Sequence, residues 1–372
     1  MATKQYDNYA DLITFTRAST GTYLDSDGLL KTATTNTPRI EYDASGNRKG
    51  LLIEEARTNF VPNSQGGINV SSFSSGTGSF DLELEDYSVA PDGTTTGLQL
   101  KWFMGTAGSY AGVTISAGTL SSQIRTFSFF GKSNTASNQT MQFRKDDGSV
   151  TTNITITPEW QRFSISQSVA STGTSFQIWS PFNVSYTANV DISIWGMQLE
   201  AGSFPTSYIP TAGSTATRAA DVASIPTSAF GYNQKAGTVV VDWSHFMTDD
   251  VVAAGMAVGF DNGSSNERMW FYGNKGQWIG SVGGVTSFNL NSGPPADFVS
   301  HKAATVYGLD DFALIVDAGS ILSDTLSGVP SVTAMQIGGT TATTLVFLNG
   351  HIKSIQYYPR RLSNAQLQEL TS

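Results

Sequence analysis

Apolar and polar residues alternate along this chain with the two-residue period of β-strands, and they rarely repeat with the helical period of about 3.6 residues. The run 139–144 is an example, because Met141 and Phe143 alternate with Gln142 and Arg144. Turn-forming sequences, such as DSDG at 25–28, separate the runs. The pattern therefore predicts an all-β protein.

The predicted strands form two groups, each large enough for a two-sheet sandwich or jelly roll. The first group is expected at 80–84, 97–103, 112–115, 126–131, 139–144, 153–156, 161–167, 174–179 and 190–199. The second is expected at 238–243, 256–260, 268–272, 277–282, 302–308, 311–316, 335–338 and 351–358.

A glycine- and proline-rich segment at 198–221 separates the two groups. The sequence thus predicts a hairpin-rich N-terminal segment over residues 1–60, a jelly roll over 61–210, a linker over 211–236 and a second sandwich over 237–372. One short helix is expected at the end, where Ser363 is a good N-cap and three leucines form an apolar stripe, namely Leu362, Leu367 and Leu370.

Composition narrows the function classes. The chain of 372 residues has 21 basic and 30 acidic residues, a net charge of −9, and no cysteine. It has no basic cluster for a phosphate backbone, no disulfide or thiolate metal site, and no apolar run long enough for a signal peptide or a membrane span. We therefore expect a soluble protein that is not exported by the Sec route and does not bind nucleic acid or insert into membranes.

Glycan recognition needs flat aromatic side chains with amides nearby. The best candidates in the sequence lie around two predicted strands of the second sandwich: Trp270, Tyr272, Asn274, Gln277 and Trp278. The alternative is that these residues pack in the core or against a neighbouring subunit.

No catalytic site is predicted. The close carboxylate pairs are neighbours in sequence, and of these only Glu83 and Glu85 would share one face of a strand, beside a predicted turn where a solvated face is expected. The histidines at 245, 301 and 351 have no triad or metal-ligand spacing and are expected to be packed or exposed singly. The DSDG sequence is expected to be a turn and no metal or cofactor is predicted, although calcium is left open.

A structural lock is predicted at the sequence GLLIEEARTN, where either Glu54 or Glu55 should point inward and pair with Arg17, Arg39 or Arg57. The sequence TRAS at 16–19 is echoed by TRAA at 217–220, which suggests similar settings for Arg17 and Arg218. The alternative is a coincidence in a chain rich in threonine and alanine.

Three regions resemble virion proteins of tailed bacteriophages and the sandwich domains found in them. The opening resembles their N-terminal segment at FTRASTGTY (15–23), PR (38–39) and GLLIEEARTN (50–59). The middle is similar to carbohydrate-binding-module-like jelly rolls at PDG (91–93), TPEWQRF (157–163), QLEAG (198–202) and YIPT (208–211). The last region looks like a concanavalin A-like (laminin-G-like) sandwich at GTVVVD (237–242), NGHI (349–352) and YYPRRLS (357–363).

This resemblance implies a non-enzymatic structural protein of the virion, made in the host cytoplasm and displayed on the particle as a capsid decoration or a tail or fibre component. The implied partners are other virion proteins, contacted through the N-terminal segment, copies of the same chain, and host surface polysaccharide bound weakly during adsorption. The alternatives are a dedicated tail-fibre receptor-binding lectin and, less favoured, a polysaccharide depolymerase. The sequence departs from a typical fibre because it has no coiled coil and no repetitive shaft.

Overall fold

The computed structural model describes most of the chain and divides it into two compact units. Unit 1 comprises residues 1–26, 33–56 and 219–372, and unit 2 comprises residues 27–32 and 57–218. The described residues are 12–65, 70–75, 87–102, 110–118, 120, 123–145, 151–169, 175–180, 190–246, 254–325, 328–340 and 346–372. The strand predicted at 80–84 and the pair Glu83 and Glu85 lie outside them.

The described part of the chain is almost entirely β-structure, which confirms the predicted fold class. Its first strands are β1 Thr14–Thr16, β2 Gly21–Leu24, β3 Leu30–Ala33, β4 Ile40–Tyr42, β5 Arg48–Ile53 and β6 Arg57–Asn59. They are followed by β7 Val70–Ser75, β8 Tyr87–Val89, β9 Thr95–Trp102, β10 Tyr110–Ser116, β11 Gln123–Ser133, β12 Gln139–Lys145, β13 Thr151–Ile156, β14 Gln161–Val169, β15 Ser175–Trp179, β16 Val190–Ala201 and β17 Ala216–Arg218.

The remaining strands are β18 Val222–Pro226, β19 Ala236–His245, β20 Met256–Asp261, β21 Arg268–Tyr272, β22 Gln277–Val282, β23 Val285–Asn291, β24 His301–Gly308, β25 Phe312–Val316, β26 Leu322–Asp324, β27 Ala334–Ile337 and β28 Gly350–Tyr358. Within the ranges that the structure describes, the helices are α1 Asn364–Leu370 and two 3-10 turns, Thr227–Ala229 and Gly273–Lys275. Among the described residues, no helix has the length and hydropathy that a membrane span requires.

Unit 2 is a sandwich of two five-stranded antiparallel sheets. The strand orders are β13-β12-β15-β10-β7 and β14-β11-β16-β9-β8. The apolar residue of each alternating pair points into the space between the sheets, so that Met141, Phe143 and Ile178 from one sheet join Phe127 and Ile192 from the other in a single core. A further two-stranded sheet pairs β17 with β6.

Unit 1 contains two seven-stranded sheets around a second core. Their orders are β1-β18-β27-β20-β21-β22-β23 and β26-β25-β24-β19-β28-β5-β4. The buried side chains of both sheets form one cluster, which includes Ile53, Val241, Phe260, Phe271 and Leu314. The predicted second sandwich thus corresponds to the greater part of this unit.

The N-terminal strands differ from the predicted organisation. The sequence predicts a separate segment over residues 1–60, but β5 pairs with β28 and β1 pairs with β18, so both strands belong to the sheets of unit 1. It also predicts a linker over residues 211–236, but these residues contain β17 and β18. Short strands with partners some 200 to 300 positions away leave little local signal, because their pairing is set by distant residues.

The C-terminal helix α1 has the capping box that its sequence suggests. The Ser363 side chain accepts a hydrogen bond from the Gln366 backbone, and the Gln366 side chain accepts from the Ser363 backbone. Leu362 and Leu367 pack on the face of β24 and β25 that points away from the main core, against Val306 and neighbouring residues. The helix therefore covers the outer apolar side of that sheet.

We predict that Gly50→Ala destabilises the protein strongly, because Gly50 lies at φ 130° and a Cβ there would be 2.3 Å from the Ile352 carbonyl oxygen. Gly28→Ala is the matched control, since Gly28 is also left-handed (φ 75°) but has open space around it. Urea unfolding should show a loss of about 1 kcal/mol for the control and at least about twice that for Gly50→Ala. Equal losses would contradict the packing argument.

Candidate functional site

Four buried charged side chains form a network inside unit 1. Asp221 is central: its Oδ1 accepts a hydrogen bond from Arg17 at 3.0 Å, and its Oδ2 accepts one from Arg39 at 2.5 Å. Arg39 also contacts Glu54 at 2.8 Å. All four side chains are buried, and their two positive charges balance two negative ones. Such burial is tolerable only when every charge has its partner.

The backbone is tied into the same network. The Glu54 N–H donates to the Asp221 carboxylate at 2.9 Å, and the Asp221 N–H donates to the Glu54 carbonyl at 2.9 Å. Arg39 also donates to the Thr22 carbonyl at 2.9 Å. Burial opposes the charge on Arg39, but Glu54 and Asp221 outweigh it and raise the pKa of the guanidinium. The network therefore serves the architecture of unit 1.

The other residues of the predicted lock lie elsewhere. Glu55 is half-buried and near Asn349, whose side-chain amide is 3.4 Å from the Glu55 carboxylate. Arg57 and Arg218 are both buried and lie directly opposite each other on β6 and β17 in unit 2. Arg57 donates to the Ala201 carbonyl. Arg17 belongs to unit 1 and Arg218 to unit 2, although the sequences around them are similar.

The prediction of a glycan-binding patch is wrong for its two tryptophans, because both are buried. Trp270 and Trp278 are 1% and 0% exposed, so neither offers a ring face for stacking. Trp278 points into the main core and Trp270 packs on the opposite side of the sheet, with its Nε1 at 3.3 Å from Asp261. Successive side chains of a strand point to opposite faces of the sheet, so Trp270 on β21 and Trp278 on β22 lie on different faces. Apolar residues cover both indole rings.

The polar residues of that patch serve local structure. Tyr272 is partly buried against Trp270. The Asn274 side chain accepts a hydrogen bond from the Gly255 backbone at 2.8 Å, and the Gln277 side chain donates to Asn289 at 2.8 Å across adjacent strands. The alternative interpretation of the five residues, that they pack within the fold, agrees with these contacts.

A different polar face is present on the outer side of the β13-β12-β15-β10-β7 sheet of unit 2. The residues that point away from the core form rows across the strands: Gln142 lies opposite Asn153 and Trp179, and Arg144 lies opposite Gln177. Asn153 is exposed, and Gln142, Arg144 and Gln177 are partly exposed. Amides and a guanidinium on one sheet face can donate to and accept from neighbouring hydroxyls, as glycan binding requires.

Arg144 is the main feature of this face. Its guanidinium carbon lies 3.7 Å from the centre of the Trp179 ring, and its Nε donates to Gln177 at 2.8 Å. Gln177 in turn donates to Thr114 at 3.2 Å. Within the described residues, the two terminal nitrogens of Arg144 make no hydrogen bond. Stacking on the indole holds the guanidinium fork in one orientation, which suits bidentate contact with a carboxylate or paired hydroxyls.

The sequence pattern did not reveal the roles of Asp221 and Arg144. Asp221 is the acidic residue that directly follows the sequence TRAA (217–220), but its distance from Arg17 in sequence hides the pairing. Arg144 could have been found by applying strand alternation to QTMQFRK, which places Thr140, Gln142 and Arg144 on one face.

The three histidines, expected to be unrelated, all lie in unit 1. The rings of His245 and His301 stack with centroids 6.3 Å apart, and His351 lies 2.6 Å from the Glu41 carboxylate. Burial raises the pKa of Glu41, but the hydrogen bond and charge of His351 outweigh it and lower that pKa. Across the part of the chain that the structure describes, no group of three or more acidic, histidine or cysteine side chains could hold a metal ion.

No protein-family model matches the chain, and no curated protein does. Among solved structures, it is similar to the CBM40 module of a Ruminococcus gnavus IT-sialidase bound to alpha2,3 sialyllactose, with 17% identity, 38% of this chain and 84% of that chain covered, and a TM-score of 0.31. It is also similar to a family 11 carbohydrate-binding module from Clostridium thermocellum, in complex with a mixed-linked tetrasaccharide. The identity is 14%, the match covers 40% of this chain and 98% of that chain, and the TM-score is 0.31. For domains LG4-5 of the mouse laminin alpha1 chain, the identity is 9%, the match covers 86% of this chain and 92% of that chain, and the TM-score is 0.26.

These similarities are too low to assign a ligand to this chain. The assignment of a β-sandwich to each unit depends on the strand orders and cores described above.

We predict that Asp221→Asn reduces the free energy of unfolding by about 3 to 5 kcal/mol, because it leaves Arg17 and Arg39 buried with too little negative charge. Glu55→Gln is the control, since Glu55 is half-buried and lies outside the network, and it should cost less than about 1 kcal/mol. Urea unfolding at pH 7 measures both, and similar losses would contradict the proposed role of Asp221.

We also predict an acid-sensitive contribution from Glu41. Because its pKa is lowered on folding, the ionised group stabilises the protein above its unfolded-state pKa, and this stability is lost as the pH falls through the folded-state pKa. Comparing urea unfolding of the wild type and Glu41→Gln from pH 7 to pH 3 tests this. The difference between the two proteins should shrink towards pH 3, and a constant difference would argue against it.

Proposed function

We propose that this chain is a non-enzymatic structural protein of a tailed-bacteriophage particle, displayed on its surface as a capsid decoration or a tail component, which binds host polysaccharide weakly. The observation that carries the binding part is the Arg144 guanidinium stacked on Trp179 beside Gln142 and Gln177. We refer to these four residues as the amide face.

The virion part of the proposal depends on the phage-like sequence motifs. Residues from three of them meet in the buried network of unit 1: Arg17 from FTRASTGTY, Arg39 from PR and Glu54 from GLLIEEARTN. This convergence gives the motifs a common structural purpose, namely to fix the N-terminal strands within the sheets of unit 1. It favours a rigid displayed domain over a detachable anchoring segment.

The ligand chemistry follows from the amide face. A partly exposed guanidinium that is held in one orientation by stacking favours a sugar with a carboxylate, because the planar fork matches two carboxylate oxygens. The neighbouring amides suit ring hydroxyls. Many copies on one particle would turn weak binding at each site into useful avidity, as adsorption to a host surface requires.

We predict that Arg144→Ala lowers the affinity of the purified protein for host polysaccharide by about tenfold to a hundredfold, the loss expected for one hydrogen-bonded charged contact. Gln142→Ala should weaken it less. Arg360→Ala removes an exposed arginine from unit 1 and should leave affinity unchanged. Isothermal titration with acidic and neutral polysaccharide fractions gives the affinities.

The result also separates the alternatives. Unchanged binding by Arg144→Ala would exclude the amide face, and release of reducing ends by the pure protein would favour a depolymerase. Mass spectrometry of purified particles tests the virion role separately, since absence of the chain would exclude that role whatever the binding result.

A further inference from the structure

His301, at the start of β24, has a hydrogen-bond acceptor at each ring nitrogen. Its Nδ1 lies 2.6 Å from the Asp317 carboxylate, and its Nε2 lies 2.7 Å from the Ala296 carbonyl oxygen. A carbonyl and a carboxylate can only accept, so both ring nitrogens must donate. A neutral imidazole carries one N–H and an imidazolium carries two. The observed pair of contacts is therefore complete only when His301 is protonated.

The two acceptors belong to, or directly follow, the two segments that line a groove in unit 1. The groove has a volume of about 410 Å³ and is lined by residues 291–295 on one side and by residues between 316 and 322 on the other. Ala296 directly follows the first wall, and Asp317 is part of the second. His301 thus bridges the two walls through its two ring nitrogens.

The second wall, and the segment that follows the first wall, contain backbone held in uncommon conformations. Asp317 and Ala318 have φ values of 48° and 52°, and Phe298, close to Ala296, has a φ of 62°. Non-glycine residues adopt this region at a cost and keep it only where surrounding contacts impose it. On the second wall, the Lys302 N–H donates to the Asp317 carboxylate at 2.9 Å. The Asp317 side therefore has a second contact that does not depend on the proton.

Other charged groups surround the pair. The ring of His245 stacks on that of His301, and the Nδ1 of His245 lies 3.6 Å from the Asp297 carboxylate. On β19, Asp242 accepts a hydrogen bond from Ser300. The carboxylates of Asp297 and Asp317 favour a cation here, whereas a charged His245 would oppose it.

We propose that His301 is a pH-sensitive clamp that joins the two walls of the groove when protonated and releases the first wall when neutral. After losing one proton, the ring keeps the stronger, charge-assisted bond from Nδ1–H to Asp317. The bare Nε2 then faces the Ala296 carbonyl with two lone pairs opposed, and that contact is lost. The closed arrangement is thus present at low pH and is lost as the pH rises through the His301 titration.

The test is a pH titration of the full-length protein by NMR, with labelled histidine rings and backbone amides. With only three histidines in the chain, each ring can be assigned by single substitutions. The Gly293 and Phe298 amides should shift with the same midpoint as the His301 ring. The proposal is overturned if they follow His245 instead, or if His301 titrates while they do not move.

Two variants sharpen the result. In Asp317→Asn, the new amide can donate to Nδ1, so a neutral His301 keeps its Nε2–H bond to Ala296 and the pH response of the first wall should disappear. His301→Gln removes the titrating ring and should also abolish the response. His351→Gln is the matched control, because His351 binds Glu41 and not the groove, and should retain it. A response that persists in both test variants would contradict the clamp.

Discussion

The carboxylate of Asp221 is the contact on which the architecture of unit 1 depends. It binds Arg17 and Arg39, which lie 204 and 182 positions away in sequence. All these groups are buried, and an isolated buried charge costs several kcal/mol, so none can be buried before the others are in place. The network therefore couples docking of the N-terminal strands to closure of the sheets that follow residue 219.

The buried network also bears on the low content of charged residues in the chain. Charged residues are 14% of the chain, against about 25% in typical globular domains, and several of them are used inside the fold. The described strand surfaces instead carry hydroxyls and amides, as on the amide face. A surface of this kind can exchange hydrogen bonds with a hydroxylated ligand without a large desolvation cost, which is why we propose glycan contact there.

The amide face of unit 2 and the groove of unit 1 differ in the interactions that fix their side chains in place. On the amide face, strand register alone sets the side chains of Gln142, Arg144 and Gln177 side by side, and stacking on Trp179 orients the guanidinium. At the groove of unit 1, one histidine joins two loops. A site fixed by register has no need of a particular pH, whereas one held by His301 changes when the ring loses a proton.

The sequence by itself determined the fold class, most strand positions and the terminal helix, because these follow from local periodicity and capping at residues such as Ser363. It also indicated that Glu54 or Glu55 is buried beside an arginine. Only the tertiary structure decided that Asp221 completes the network, that Trp270 and Trp278 belong to the core, and that Arg144 and the histidines have partners. Those outcomes depend on long-range strand pairing, which alternation within one strand cannot specify.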